Sequence, residues 1–98
     1  MDRDEIIRAL AEHRVELARL GVKSLALFGS TARDETGEQS DLDFLVEFTG
    51  PGTFTGYMDL KFFLEDLLGR RVDLVTQKAL KASLRDPVER EAIHVPGF

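Results

Sequence analysis

Apolar side chains recur at helical spacing along the first twenty residues of the chain. The stripe consists of Ile6, Leu10, Leu17 and Leu20. Acidic residues at the start of this segment suit the positive end of a helix dipole, and Gly21 suits a C-terminal stop. The spacing therefore predicts a helix over about residues 3–20.

Three later segments have the short apolar runs that are typical of β-strands. Residues 22–28 are apolar at both even and odd positions, which indicates a strand buried on both faces. In residues 41–48 apolar and acidic positions alternate, with Leu45 as the exception, so this strand has one apolar face. Residues 71–76 repeat the alternation around Asp73.

The rest of the pattern is helical or loop-like. A short helix is predicted at residues 31–34, opening at Ser30; residues 49–53 form a Gly- and Pro-rich loop. Residues 57–68 return to helical spacing, and two helical pieces are predicted at 79–85 and 87–93. These elements predict an α/β fold over residues 1–98, as a single domain with a small mixed β-sheet, helices packed on one face and the aspartates on the other.

Composition narrows the function. The chain has 98 residues and no cysteine, so disulfides and thiolate chemistry are excluded. Its formal net charge of −5 argues against direct binding of nucleic-acid phosphates. No apolar run approaches the roughly 18 residues of a membrane span, so we expect no membrane association and a cytoplasmic location. A chain this short has a modest core, so we expect a large substrate to complete the site itself.

Three aspartates are the candidate metal ligands. Asp41 and Asp43 lie two apart on a predicted strand, so both carboxylates project from one face and can share a hard cation. A solvated acidic face is the alternative for such a pair. Asp73 lies on a separate strand and can join them if the strands pair. Magnesium suits this set because it binds carboxylates and completes its shell with water and substrate phosphates.

A second candidate element is the Gly29-Ser30 pair that ends the first strand. Glycine lets a phosphate approach the backbone, and the N–H groups of a helix opening at serine attract anions. An ordinary turn has the same residues. With the three aspartates, this pair supplies the parts for phosphoryl or nucleotidyl transfer with metal assistance.

The segment LFGSTARDETGEQSDLDFLVEF resembles the signature of the DNA polymerase beta-type nucleotidyltransferase superfamily. In length and detail the chain is similar to the minimal nucleotidyltransferases, which in prokaryotes pair with a HEPN-domain protein as toxin–antitoxin modules. The resemblance runs from about residue 21 to the C-terminus and is most specific at Gly29, Ser30, Asp41 and Asp43.

The resemblance implies a role for each matching residue. Gly29 and Ser30 would hold the triphosphate of ATP, and Asp41 and Asp43 would bind Mg²⁺. Asp73 would be the third metal-binding carboxylate and would help to activate the attacking hydroxyl. Arg33 would either contact phosphate or lock the loop by pairing with a carboxylate. The implied activity is transfer of AMP from ATP to a tyrosine of a HEPN toxin, with the chain acting as antitoxin.

The sequence leaves two other functions possible, and it does not decide the role of two aromatic residues. The chain could neutralise its partner by occlusion alone, or it could modify a small molecule, although related small-molecule enzymes carry a further domain for the acceptor. The aromatic residues Phe54 and Tyr57 could stack on a base or make core contacts at a helix start. The sequence does not determine nucleotide preference or whether the chain forms homo- or hetero-oligomers.

Overall fold

The computed structural model describes residues 2–32, 41–80 and 82–98. Its helices are α1 (Arg3–Glu12), α2 (Arg14–Arg19), α3 (Gly29–Ala32), α4 (Phe54–Leu68) and α5 (Ala82–Glu91). Its strands are β1 (Val22–Phe28), β2 (Leu42–Phe48), β3 (Val72–Thr76) and β4 (Ile93–His94), and a short 3₁₀ turn spans Gln77–Ala79.

The four strands form one mixed sheet in the order β3-β2-β1-β4. Strand β1 is antiparallel to both of its neighbours, whereas β2 and β3 run parallel. Parallel neighbours need a crossover connection, and α4 supplies it between β2 and β3. Thr53 caps the start of this helix, because its hydroxyl accepts a hydrogen bond from the Gly56 N–H, and Gly69 caps its end in the left-handed conformation.

The two faces of the sheet carry two separate apolar clusters. The larger cluster joins one face to α1, α2 and α4, and its largest fully buried side chain is Phe44. The smaller cluster lies on the opposite face and is built from Ala26, Leu45 and Leu80, with Val88 and Ala92 packed against it. Leu45, the exception to the alternation in β2, therefore has a partner on this second face.

The predicted fold class is confirmed: helices cover one face of a small mixed sheet. The structure adds one feature, because Val88 of α5 and Ala92, the residue after that helix, pack on the other face. Strand β1 has the predicted bounds, and β2, β3 and α4 differ from prediction by three residues or fewer at their ends. Within the described residues, no helix is long and apolar enough to cross a bilayer.

The helix predicted over residues 3–20 is divided at His13. This residue has φ −107° and ψ 21°, outside the helical region, and its ring nitrogen Nδ1 lies 2.8 Å from the Ala9 carbonyl oxygen. Leu10 and Leu17, on either side of the break, are both fully buried. The periodic pattern alone did not locate the break because the apolar stripe continues across it.

The C-terminal prediction was wrong in detail. One helix, α5, replaces the two predicted pieces and continues through Pro87, although proline removes one backbone donor. Packing of Val88 and Ala92 on the sheet accompanies this continuity. The sequence also missed β4, which pairs with β1 at Ala26 and Leu27, because two residues are too few to show a strand period.

Candidate active site

Asp43 and Asp73 lie side by side on one face of the sheet. The parallel register pairs Asp43 of β2 with Asp73 of β3, and neighbouring strands are about 4.8 Å apart. Leu45 and Val75, two residues further along the same strands, both belong to the second-face cluster. Since side chains alternate along a strand, the two carboxylates project on that second face, beyond the edge of its apolar cluster.

Asp41 directly precedes β2 and is exposed, as is Asp73, while Asp43 is half-buried. Among the residues described, no group of three or more carboxylate, imidazole or thiol side chains is close enough to hold a metal ion. Mg²⁺ nevertheless needs only one or two protein carboxylates when substrate phosphates and water complete its shell. The donor chemistry of Asp43 and its neighbours therefore fits magnesium bound together with a nucleotide.

Gly29 closes the other side of Asp43. The antiparallel register places Phe28, the last residue of β1, opposite Asp43, so the chain turns into α3 directly beside the carboxylate. Gly29 has φ +76°, and a Cβ built there would lie 3.1 Å from Asp43 Cγ and still closer to Oδ2. The turn thus requires glycine for both its backbone conformation and its contact with the aspartate.

Ser30 and Arg33 complete the predicted nucleotide-binding set. Helix α3 begins at Gly29, one residue before the predicted opening at Ser30, so the backbone of Ser30 lies inside the helix. Residues 33 and 34 of the predicted helix fall outside the described residues. Arg33 falls outside the described residues, so its two predicted roles stay predictions. The structure therefore brings together Gly29, Ser30, Asp43 and Asp73 at one end of the central strands, with Asp41 at the entry to β2.

Arg3 is a residue of this region that the sequence did not single out. Its guanidinium Nη1 donates a hydrogen bond of 2.9 Å to the carbonyl oxygen of Ala32, the last residue of α3. A helix of one turn has no internal partners for its final carbonyl groups. A cation at this end also interacts favourably with the negative end of the helix dipole. No local pattern reveals this contact because the two residues are 29 positions apart.

We expect Arg3→Ala to lower the free energy of unfolding by about 1 kcal/mol, since it removes the partly buried hydrogen bond that the guanidinium donates. The exposed ion pair of Arg3 with Asp4, at 3.9 Å, adds little to this change. Urea denaturation measures the change. Arg8→Ala is the matched control, because Arg8 is an exposed arginine on the same helix. Equal stability of the two variants would show that the Arg3 contact contributes nothing.

The two aromatic candidates have different environments. The Tyr57 hydroxyl donates a hydrogen bond of 2.6 Å to the Leu74 carbonyl oxygen, and its ring packs against the larger cluster. Tyr57 therefore makes the core contact that was the alternative to base stacking. Phe54, at the start of α4, is 80% exposed.

A cleft of about 660 Å³ lies elsewhere, near the C-terminal ends of β2 and β3. Phe48, Pro51, Thr76, Lys78 and Leu80 are among its lining residues, and none of the three candidate aspartates is. On β2 the buried Leu45 lies between Asp43 and Glu47, and Glu47 lines this cleft. The carboxylates therefore lie on a separate part of this face of the sheet.

This fold, with neighbouring carboxylates beside a glycine turn, belongs to a class of α/β domains suited to phosphate chemistry. Residues 7–95 match the family described as nucleotidyltransferase domain. The match covers most of the chain, so the chain belongs to the nucleotidyltransferase family, and it is a nucleotidyltransferase by that membership.

Relatives of similar length refine the comparison. The chain is 41% identical over 93 residues to the protein adenylyltransferase MntA of Thermococcus cleftensis, covering 94% of each. A solved candidate minimal nucleotidyltransferase is 46% identical, with a TM-score of 0.81 over 95% of both chains. A structure of the MNT antitoxin with the tri-AMPylated HEPN toxin of Shewanella oneidensis has the same fold at 20% identity, with a TM-score of 0.64 over 94% of this chain and 73% of that one.

Proposed function

We propose that this chain is an antitoxin that transfers AMP from ATP to a tyrosine hydroxyl of a partner HEPN toxin, with Mg²⁺ as cofactor. The observation that carries the proposal is the row formed by Gly29, Asp43 and Asp73 across three neighbouring segments of the chain. It sets an anion-compatible turn directly beside two carboxylates. Nucleotidyl transfer needs both, because phosphates and their metal ion must be bound at one point.

The relatives support the choice of AMP and of a protein acceptor. MntA of Thermococcus cleftensis, which matches almost the whole chain, is a protein adenylyltransferase. Structures with the same fold include a toxin–antitoxin with AMP-PNP and an MNT antitoxin with an AMPylated HEPN toxin. These descriptions support transfer of AMP to a protein; the tyrosine acceptor and Mg²⁺ are parts of our proposal.

In the proposed site, one set of residues binds the phosphates of ATP and another set binds the metal ion. Backbone N–H groups at Gly29 and Ser30 hold the triphosphate, and Arg33 contacts phosphate or secures the same turn. Asp41 and Asp43 would hold Mg²⁺ together with the phosphates of ATP, and Asp73 would join them once the nucleotide is bound. The bound ion would offset the negative charge of the phosphates and of the departing pyrophosphate. Without such a cation the two adjacent carboxylates would repel an incoming triphosphate.

Asp73 has a second task in the proposed reaction. Its carboxylate orients the acceptor hydroxyl and receives its proton as the hydroxyl oxygen attacks the α-phosphorus of ATP. The new bond joins that oxygen to phosphorus, the bond from the α-phosphorus to the bridging oxygen breaks, and pyrophosphate leaves. Asp73 suits this task because it is exposed and lies on the strand at the edge of the sheet, where an acceptor can approach.

The exposure of Asp41 and Asp73 favours an acceptor carried by another macromolecule. A partner protein laid over this face would bring its tyrosine to Asp73 and exclude water from the phosphates. One domain over residues 1–98 suffices for the chain's share of the site, and we place the reaction in the cytoplasm, where ATP is available. No contact with nucleic acid is required.

Intact-protein mass spectrometry tests the proposal. The chain is mixed with ATP and Mg²⁺, with and without a HEPN-domain protein, taken first from the gene beside the one that encodes this chain. We expect the HEPN protein to gain the mass of one or more AMP moieties, and tandem fragmentation to place them on tyrosine. Replacing Mg²⁺ by EDTA should remove the gain.

Other outcomes separate the alternatives. A stable complex with no gain of mass on either protein would contradict catalysis and support neutralisation by occlusion. A gain of mass on serine or threonine would keep the transferase and correct the acceptor. Equal transfer in EDTA would refute the magnesium requirement.

A further inference from the structure

Helix α4 contacts the backbone of β3 on both sides of Asp73. The Glu65 carboxylate Oε2 accepts a hydrogen bond of 3.0 Å from the Val72 N–H, one residue before Asp73. The Tyr57 hydroxyl donates its hydrogen bond to the carbonyl oxygen of Leu74, one residue after it. Both contacts are partly buried, and together they bracket the aspartate.

These contacts occupy the edge of β3 that faces away from β2. In a parallel pair, alternate residues turn their backbone groups toward the neighbouring strand. The Leu42 N–H donates to the Arg71 carbonyl oxygen, so odd-numbered residues of this strand face β2. Val72 and Leu74 therefore direct their backbone groups to the open edge of the sheet, where side chains of α4 bond to them.

Because β3 is an edge strand, the two hydrogen bonds from α4 can affect its register. Strand β3 has a hydrogen-bonded neighbour on one side only, since the sheet order places it last. An edge strand of five residues with one neighbour can fray or shift its register more readily than a central strand. A shift of one residue would turn Asp73 to the opposite face, away from Asp43.

We propose that Tyr57 and Glu65 are positioning residues that fix the register and the height of β3, and so hold Asp73 beside Asp43. The inference rests on the proposed function of Asp73 and adds two residues of α4 to it. Tyr57 and Glu65 touch neither the carboxylate nor any reacting group; they act through the backbone of its two neighbours.

The test compares Tyr57→Phe, Glu65→Ala and the double variant in AMP transfer to the HEPN-domain protein. We expect kcat to fall about tenfold or more in the double variant, since small displacements of a catalytic group cost one to two orders of magnitude. KM for ATP should change less than twofold, because the proposed triphosphate contacts at Gly29 and Ser30 and the metal ligands Asp41 and Asp43 all lie outside β3. Partial unfolding would also lower the apparent kcat without changing KM, so the melting temperature of each variant is measured and all rates are taken well below it.

Two further variants sharpen the comparison. Glu65→Gln keeps an oxygen that can accept from the Val72 N–H, so it should retain most of the wild-type kcat. Asp66→Ala removes the adjacent carboxylate, which is exposed, and should leave kcat unchanged. Hydrogen exchange of the Val72–Val75 amides should be faster in the double variant than in Asp66→Ala.

These measurements distinguish failure of the positioning role from failure of the proposed AMP transfer. A wild-type chain that transfers normally, with a double variant that keeps its kcat, would overturn this inference alone. The inference also fails if Asp66→Ala lowers kcat as much as Glu65→Ala, or if KM for ATP rises while kcat holds. A wild-type chain that transfers no AMP overturns the proposed function, and the inference with it.

Discussion

Asp43→Asn should abolish AMP transfer, a fall of about a thousandfold or more, while the protein keeps its fold. Asp43 occupies the centre of the candidate site, between Phe28 and Asp73 in the sheet register and against Gly29. Asparagine has nearly the same shape, so the packing of the turn is retained. The substitution removes the charge of the proposed metal ligand. The metal ion then binds more weakly, and the remaining carboxylates repel the phosphates of ATP.

The measurement is the initial rate of mass gain on the HEPN-domain protein, with circular dichroism melting of each variant. Glu47→Gln is a matched control: Glu47 lies four residues along the same strand and forms a 3.9 Å ion pair with the half-exposed Lys23. An exposed pair of this kind contributes about 0–1 kcal/mol, so its loss should leave both rate and melting nearly unchanged. Wild-type transfer by Asp43→Asn would refute the assignment of Asp43.

Gly29→Ala should both destabilise the protein and stop transfer. The left-handed backbone at φ +76° costs a side chain about 1 kcal/mol, and the new Cβ would also overlap the Asp43 carboxylate. Either the turn or the carboxylate must move. We expect the free energy of unfolding to fall by about 2–3 kcal/mol in total, with a rate as low as that of Asp43→Asn.

Gly69→Ala separates the two causes. Gly69 has a similar φ of +65°, but a Cβ built there meets nothing within 4 Å. This variant should therefore lose only the cost of backbone strain, about 1 kcal/mol, and should transfer AMP at the wild-type rate. Urea denaturation and the mass-gain assay are run on both variants. Equal effects at the two glycines would contradict a specific contact between Gly29 and Asp43.

The sequence alone predicted the parts of the candidate site whose residues lie close together along the chain. Gly29 with Ser30, and Asp41 with Asp43, are short motifs whose spacing carries the chemistry, so they stand out without a structure. Asp73 required the assumption that its strand pairs with β2. The structure supplies that pairing, with Asp73 opposite Asp43.

Residues that act across the fold could not be predicted. Arg3 reaches Ala32 across 29 positions, and Glu65, near the C-terminal end of α4, reaches Val72 across the turn into β3. Both are charged residues in helices, where solvent exposure is the ordinary expectation. Their function depends on which backbone groups lack partners in the folded chain, and a sequence pattern does not contain that information.

The sequence by itself determined the fold class, the main strands and the local motifs, because hydrophobic periodicity and turn chemistry act over a few residues. The tertiary structure decided the sheet order, the break at His13, the short strand β4, and the placement of Asp43 between Gly29 and Asp73. These features depend on contacts between distant segments. Such contacts form only when the apolar faces pack, and that packing, unlike a local period, is a property of the whole chain.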